Sequence, residues 1–201
     1  MNRQRILRLL SAALVPLGLI LAGLSVASAD TVWVGFGVLT TLVGAGMYYV
    51  VGRYGVPFER FTDAEVDFTT TQTFILGFVQ VGIAVVQFVL LMLAAILVGI
   101  VTDAAVNADP QSVYLAFAGV VPAVLLGAGL PYLTQRFDSV KRLNDTRIAR
   151  VIGPFLTFGT YLLFVVYHPV AGVIYAIAYV GSRVTILLGF YVGSRIQAAI
   201  T

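Results

Sequence analysis

The chain has 201 residues, of which 60% are hydrophobic and only 10% charged, and its mean hydropathy is +0.99. An ordinary soluble domain carries roughly 25% charged residues, so this composition excludes a soluble fold. The chain contains no cysteine, which excludes disulfides, thiolate metal sites and cysteine nucleophiles.

Six apolar segments are long enough to cross a membrane, since about 20 helical residues span a hydrocarbon core of about 30 Å. We therefore predict an all-α fold, a polytopic integral membrane bundle of six transmembrane helices in one domain covering residues 1–201. In chain order the predicted helices cover residues 6–27, 31–51, 73–101, 112–133, 151–167 and 171–197.

The N-terminal segment admits a second interpretation. Its basic start, its apolar middle and the small residues Ala27, Ser28 and Ala29 before Asp30 also fit a secretory signal peptide. Residues 1–29 are therefore either a retained first helix or a cleaved signal, and cleavage would leave five spans without changing the orientation of the others.

The distribution of basic residues predicts the orientation in the membrane. Eleven of the twelve Arg and Lys residues fall in the N-terminus, the 52–72 loop, the 134–150 loop or the C-terminal end, and the twelfth is Arg183. By the positive-inside rule both termini are cytoplasmic in a multi-pass protein of the plasma membrane. Arg195, near the end of the last helix, is expected to extend towards the headgroups. The preference for Arg over Lys is typical of high-GC prokaryotic genomes.

The 134–150 loop carries five basic and two acidic residues. Such a loop attracts anionic lipid headgroups, at about 1 kcal/mol per basic residue near the surface. The bilayer and its anionic lipids are therefore the expected partners of this segment. Because the membrane accounts for the net charge of +3, the sequence gives no reason to expect a nucleic-acid partner.

Arg183 lies near the middle of the last predicted helix, where an arginine costs about 2.5–3.5 kcal/mol on insertion scales. It should therefore face the bundle interior or water. Gln87 in the third helix has a similar predicted depth, Gln80 lies on the same helical stripe, and Tyr179 is one turn from Arg183. These four residues are a candidate midplane polar site, which either ties the guanidinium to carbonyls and structural water or binds an anion or substrate.

The same helix carries a row of small residues. Gly181, Thr185, Gly189 and Gly193 recur every four residues, a spacing that allows another helix to approach its backbone closely. We call these four residues the small-residue ridge and predict that they form a helix-packing face.

No motif of catalysis, cofactor binding or metal binding is present. The sequence has no H-E-x-x-H, no Walker loop and no acidic pair within an apolar segment, so we expect neither an enzyme nor a cofactor or metal. The leading hypothesis is an accessory or scaffolding subunit of a membrane assembly, with a membrane-protein partner or a second copy. The alternative is a small permease or transporter-like protein with its polar site around Arg183.

Overall fold

The computed structural model describes residues 3–27, 31–54, 71–101, 117–144, 146–167 and 169–200. Within these ranges the fold is helical and contains no strand, which confirms the all-α prediction. The helices are α1 (Arg3–Ala27), α2 (Thr31–Tyr54), α3 (Thr71–Val101), α4 (Val120–Val124), α5 (Leu130–Arg136), α6 (Asp138–Asn144), α7 (Arg147–Tyr167) and α8 (Pro169–Ile200), with a π-helical turn, Leu125–Gly129, between α4 and α5.

Four of the described helices, α1, α2, α3 and α8, are long and apolar enough to cross a membrane. Helix α7 contains a shorter apolar stretch, Val151–Val166. The predicted fourth span begins at residue 112, and its first part lies outside the described residues. The count of six spans therefore stays a prediction. The four long apolar segments are Gln4–Val26, Trp33–Arg53, Phe74–Ala95 and Pro169–Ile196.

Several helices extend beyond their predicted bounds, because polar residues that flank the apolar segments continue a helix that hydropathy alone would end. Helix α7 begins at Arg147 rather than at 151, since the Thr146 hydroxyl accepts the Ala149 amide at 3.2 Å and caps the first turn. Helix α8 begins at Pro169. Proline has no backbone N–H, and the first residues of a helix have no intrahelical acceptor for one, so proline is tolerated at this position.

The predicted basic loop is largely helical. Helix α5 continues to Arg136, Phe137 is extended (φ −127°, ψ 116°), and α6 follows at once. Asp138 lies in the first turn of α6 and Lys141 and Arg142 in its last, an order that complements the helix dipole. None of the α6 residues is buried, so the basic segment carries a short surface helix.

The π-helical turn interrupts the segment predicted as one continuous helix over 112–133. The amide of Leu130 donates to the Leu125 carbonyl, five residues back. Pro131 follows directly, and because proline has no N–H it cannot make the ordinary bond to the Gly127 carbonyl. The wider turn accommodates this missing bond.

The chain divides into two compact units. Unit 1 comprises Met1–Val86 and Arg183–Thr201, and unit 2 comprises Gln87–Ser182. Helices α3 and α8 contribute one part to each unit. The single transmembrane domain over residues 1–201 stays a prediction.

In unit 1, α1 and α2 make a close contact through glycines. A methyl group on Gly37 would lie 2.5 Å from the Ala22 nitrogen and 2.7 Å from the Gly18 carbonyl oxygen, and one on Gly18 would lie 2.6 Å from the Gly37 carbonyl oxygen. Only glycine allows the two backbones to approach this closely. The sequence analysis did not identify this contact.

The beginnings and ends of four helices meet at one end of unit 1. Leu7 near the start of α1, Val51 near the end of α2 and Leu76 near the start of α3 share one buried cluster. The start of α3 also contacts the end of α8, where Arg195 hydrogen-bonds Thr71. Within unit 1, α2 therefore runs antiparallel to α1 and to α3, and α8 runs antiparallel to α3. The orientation in the membrane stays a prediction.

Candidate functional site

The four residues of the predicted midplane polar site fall in different units. Arg183 and Gln80 belong to unit 1, both half-buried, and Arg183 has an interaction partner. Gln87 and Tyr179 belong to unit 2, where Gln87 is exposed and Tyr179 half-buried. The polar site around Arg183 therefore stays a prediction.

The small-residue ridge of α8 is open along its length. Gly181, Thr185, Gly189 and Gly193 are all exposed. A methyl group on any of the three glycines would meet no described atom within 4 Å outside its own helix. Gly189 and Gly193 are thus open among the described residues, unlike the glycines between α1 and α2.

An aromatic cluster that the sequence analysis did not identify forms the core of unit 2. Phe88 of α3 is fully buried, and four rings surround it at centroid distances of 4.6–6.2 Å. Each such pair contributes about 0.5–1.5 kcal/mol beyond area burial. The surrounding rings belong to Phe158, Tyr161, Tyr175 and Tyr179.

Two buried tyrosine hydroxyls link helices within this cluster. Tyr161 Oη donates to the Phe88 carbonyl at 2.9 Å, and Tyr175 Oη donates to the Thr157 carbonyl at 3.1 Å. Both side chains are fully buried. Because a buried hydroxyl without a partner would be costly, these bonds allow polar groups inside an apolar core. Tyr179 packs against Phe88 and stacks on Tyr175, so the structure assigns it an aromatic role that sequence reasoning had not considered.

Glycines also permit close helix contacts in unit 2. A methyl group on Gly127, in the π-helical turn, would lie 2.7 Å from the Tyr179 carbonyl oxygen and would collide with the Ser182 hydroxyl. One on Gly172 of α8 would lie 3.1 Å from the Val165 backbone of α7. The π-helical turn therefore contacts the backbone of α8 directly.

A polar cluster lies where α3 begins and α8 ends. Arg195 Nη2 donates to Thr71 Oγ1 at 3.0 Å and to Tyr191 Oη at 3.4 Å, and the two hydroxyl oxygens are 3.5 Å apart. The Arg195 guanidinium carbon lies 5.4 Å from the centre of the Tyr191 ring, and Phe74 stacks on that ring at 4.6 Å. Sequence reasoning predicted a headgroup-level cation at Arg195 but not its partners. We call these four residues the Arg195 cluster.

A second arginine at the same end of unit 1 offers a comparison. The Arg8 guanidinium carbon also lies 5.4 Å from a tyrosine ring centre, that of Tyr48 in α2. Unlike Arg195, it has no hydroxyl partner among the described residues. Gly52 provides space for the Arg8 guanidinium, since a methyl group there would lie 2.7 Å from Arg8 Nη2.

Within the described ranges no group of three or more His, Asp or Glu side chains could hold a metal ion. No curated protein and no solved structure matches the chain. One family does match, over residues 51–201, a segment that begins at the end of α2 and runs through α8. This segment is three quarters of the chain, and the protein therefore belongs to the DUF8100 family, described as a domain of unknown function.

Proposed function

We propose that the protein is an accessory or scaffolding subunit of a membrane assembly, and that it binds a transmembrane helix of its partner on the small-residue ridge of α8. The partner is another membrane protein or a second copy of the chain. The single observation that carries the proposal is the open space above Gly189 and Gly193, the two ridge glycines nearest the end of α8.

The glycines at helix contacts show how this chain uses small residues, although Gly23, Gly153 and Gly159 are as open as the glycines of the ridge. At Gly18, Gly37, Gly127 and Gly172 a neighbouring helix already occupies the space above the glycine. In lipid, helices associate through close packing rather than through hydrophobic exclusion from water, and small residues are what allow it. Gly189 and Gly193, above which no described atom outside their own helix lies within 4 Å, are therefore suited to contact a helix from another chain.

Larger apolar side chains lie beside the small-residue ridge on the surface of α8. Leu188, Val192 and Ile196 also recur every four residues, and they are 45%, 49% and 56% exposed. A ridge of larger side chains next to a row of small ones is the surface on which the i±4 ridges of a second helix pack.

The same proposal includes the location and the remaining partners. We place the protein in the plasma membrane with both termini cytoplasmic, and anionic headgroups beside the basic surface helix α6. The clustering of helix ends in unit 1 supports this orientation, because Arg8, Arg53 and Arg195 all lie at that end. The α1–α2 glycine contact supports a retained α1 rather than a cleaved signal. The proposed role is non-catalytic, with no cofactor, metal or nucleic acid.

The test compares the size of the assembly in three forms of the full chain, each extracted from its own membrane in a mild detergent. In the first variant, Gly189→Leu with Gly193→Leu fills the ridge. In the matched control, Gly153→Leu with Gly159→Leu fills two glycines of α7 that are also open. We expect the wild type and the control to migrate as a larger complex by native mass measurement, and the ridge variant to migrate as a monomer.

Two differently tagged copies in one cell separate the possible partners. Co-purification of both tags identifies a second copy, and a single tag with another protein identifies a heterologous assembly. A ridge variant with the same mass as wild type, or a wild type that is itself monomeric, would refute the proposal. Loss of a solute flux in Arg183→Gln, with flux intact in the ridge variant, would instead favour the permease.

A further inference from the structure

We propose that the Arg195 cluster is a binding site for a phosphate group, supplied by an anionic lipid headgroup. The site is separate from the basic segment around α6 and from the small-residue ridge. It consists of the Arg195 guanidinium together with the hydroxyls of Thr71 and Tyr191, on a tyrosine ring that Phe74 supports.

The cluster retains hydrogen-bond donors after its internal contacts are made. An arginine carries five N–H groups, and both hydrogen bonds of Arg195 use Nη2. Nη1 and Nε, with three N–H groups, have no partner among the residues that the structure describes. Thr71 and Tyr191 both accept from Arg195, and their mutual contact uses one hydroxyl proton, which leaves the other available. The ligand that fits several donors around one positive charge is an anion with oxygen acceptors.

The depth of the cluster matches a headgroup. The apolar stretch of α3 begins at Phe74, three residues after Thr71, and that of α8 ends at Ile196, one residue after Arg195. Two helices thus reach the edge of their apolar segments at the same place. Arg195 is exposed there, and the positive N-terminal end of α3 adds to its field. The oxygen anion found at this depth of a bilayer is the lipid phosphate.

The guanidinium is also held in position before a ligand arrives. Thr71 fixes it by a hydrogen bond from a second helix, and the Tyr191 ring lies beneath it. Binding a phosphate therefore costs less side-chain entropy than it would at a freely moving surface arginine. Arg8 provides the comparison, since it has the tyrosine ring at the same distance but no hydroxyl partner.

The experiment measures lipid retained by the full chain, reconstituted in vesicles of four parts phosphatidylcholine to one part phosphatidylglycerol and then analysed by native mass spectrometry. We expect wild type to retain phosphatidylglycerol in preference to phosphatidylcholine. Loss of the charge in Arg195→Gln should lower this preference roughly tenfold, the scale of one charged hydrogen bond. Tyr191→Phe, which removes one hydroxyl and keeps the ring, should lower it about threefold. Arg8→Gln should retain the wild-type preference, although it loses the same charge.

Competition with inorganic phosphate separates the two sources of the ligand. Displacement of phosphatidylglycerol by inorganic phosphate assigns the site to the phosphate group itself, and resistance to displacement assigns it to a membrane-anchored headgroup. An Arg8→Gln protein that loses as much preference as Arg195→Gln would reduce the effect to general surface charge and overturn the proposal. An unchanged preference for phosphatidylglycerol in Tyr191→Phe would also overturn the proposal, because this variant keeps the charge and the ring and lacks only the hydroxyl.

Discussion

Replacement of Gly37 by alanine should separate α1 from α2. The new methyl group would lie 2.5 Å from the Ala22 nitrogen, whereas ordinary contact begins at about 3.4 Å, so the helices must part by roughly 0.9 Å. The obstructing atoms belong to the backbone of α1 and cannot rotate away. A gap of this width removes a quarter to a half of the dispersion energy between the facing atoms. Overpacking of this kind costs about 1–3 kcal/mol.

The single tryptophan of the chain makes the effect measurable. Trp33 lies in α2, with its ring 6.4 Å from that of Phe36, and its fluorescence reports on the α1–α2 pair. Unfolding of purified protein in mixed micelles, with increasing dodecyl sulfate, gives the free energy of unfolding. We expect the midpoint of Gly37→Ala to fall to lower dodecyl sulfate, in line with the loss of 1–3 kcal/mol.

Gly23→Ala in α1 is the matched control, because no described atom outside its own helix lies within 4 Å of its new methyl group. Alanine is also the better helix former, by roughly 1 kcal/mol in water, so this variant should not be destabilised. Equal midpoints for Gly37→Ala and Gly23→Ala would show that the two helices are not in backbone contact, and the reasoning would fail.

Two further predictions concern unit 2 and use the same mixed-micelle unfolding, followed by the near-ultraviolet circular dichroism of the aromatic cluster instead of Trp33 fluorescence. Tyr161→Phe removes a buried hydrogen bond to a backbone carbonyl of α3 and should cost about 1 kcal/mol, while Tyr132→Phe, on an exposed ring, should cost nothing measurable. A greater loss at Tyr132 would contradict the role of the buried hydroxyl. Gly127→Ala would press a methyl group against the Tyr179 carbonyl and should cost about 1–3 kcal/mol, whereas Gly159→Ala, at an open position, should be tolerated. Equal stability of these two alanine variants would mean that the π-helical turn does not rest on α8.

The long helices could be predicted from the sequence because hydropathy is a property of consecutive residues. The apolar segments at 6–27, 31–51, 73–101 and 171–197 correspond to α1, α2, α3 and α8. Their ends could not be predicted as well, since polar residues that flank the apolar segments still form helical hydrogen bonds. Thr146 is an example, because its capping bond adds a full turn before the apolar part of α7.

The contacts between helices were harder to anticipate. Gly18 with Ala22, and Gly37 with Thr41, show the same four-residue spacing as Gly189 with Gly193. The first two pairs lie in a helix contact, whereas no described atom outside the helix lies within 4 Å above Gly189 or Gly193. Spacing alone identifies a face that can be approached and not the helix that approaches it. The tyrosine bonds depend on residues 73 and 18 positions apart in the chain, and no local pattern reports them.

The hydroxyls of Tyr161 and Tyr175 have a mechanical consequence inside unit 2. Each joins a side chain of one helix to a main-chain oxygen of another, so each fixes the offset of two helices along their long axes. A slide of α7 by one turn, about 5.4 Å, against both α3 and α8 would break both bonds and leave their polar atoms without partners in an apolar core. Axial ratcheting is therefore strongly opposed in this part of the protein, and any working motion of these segments is confined to tilting or to movement as one block.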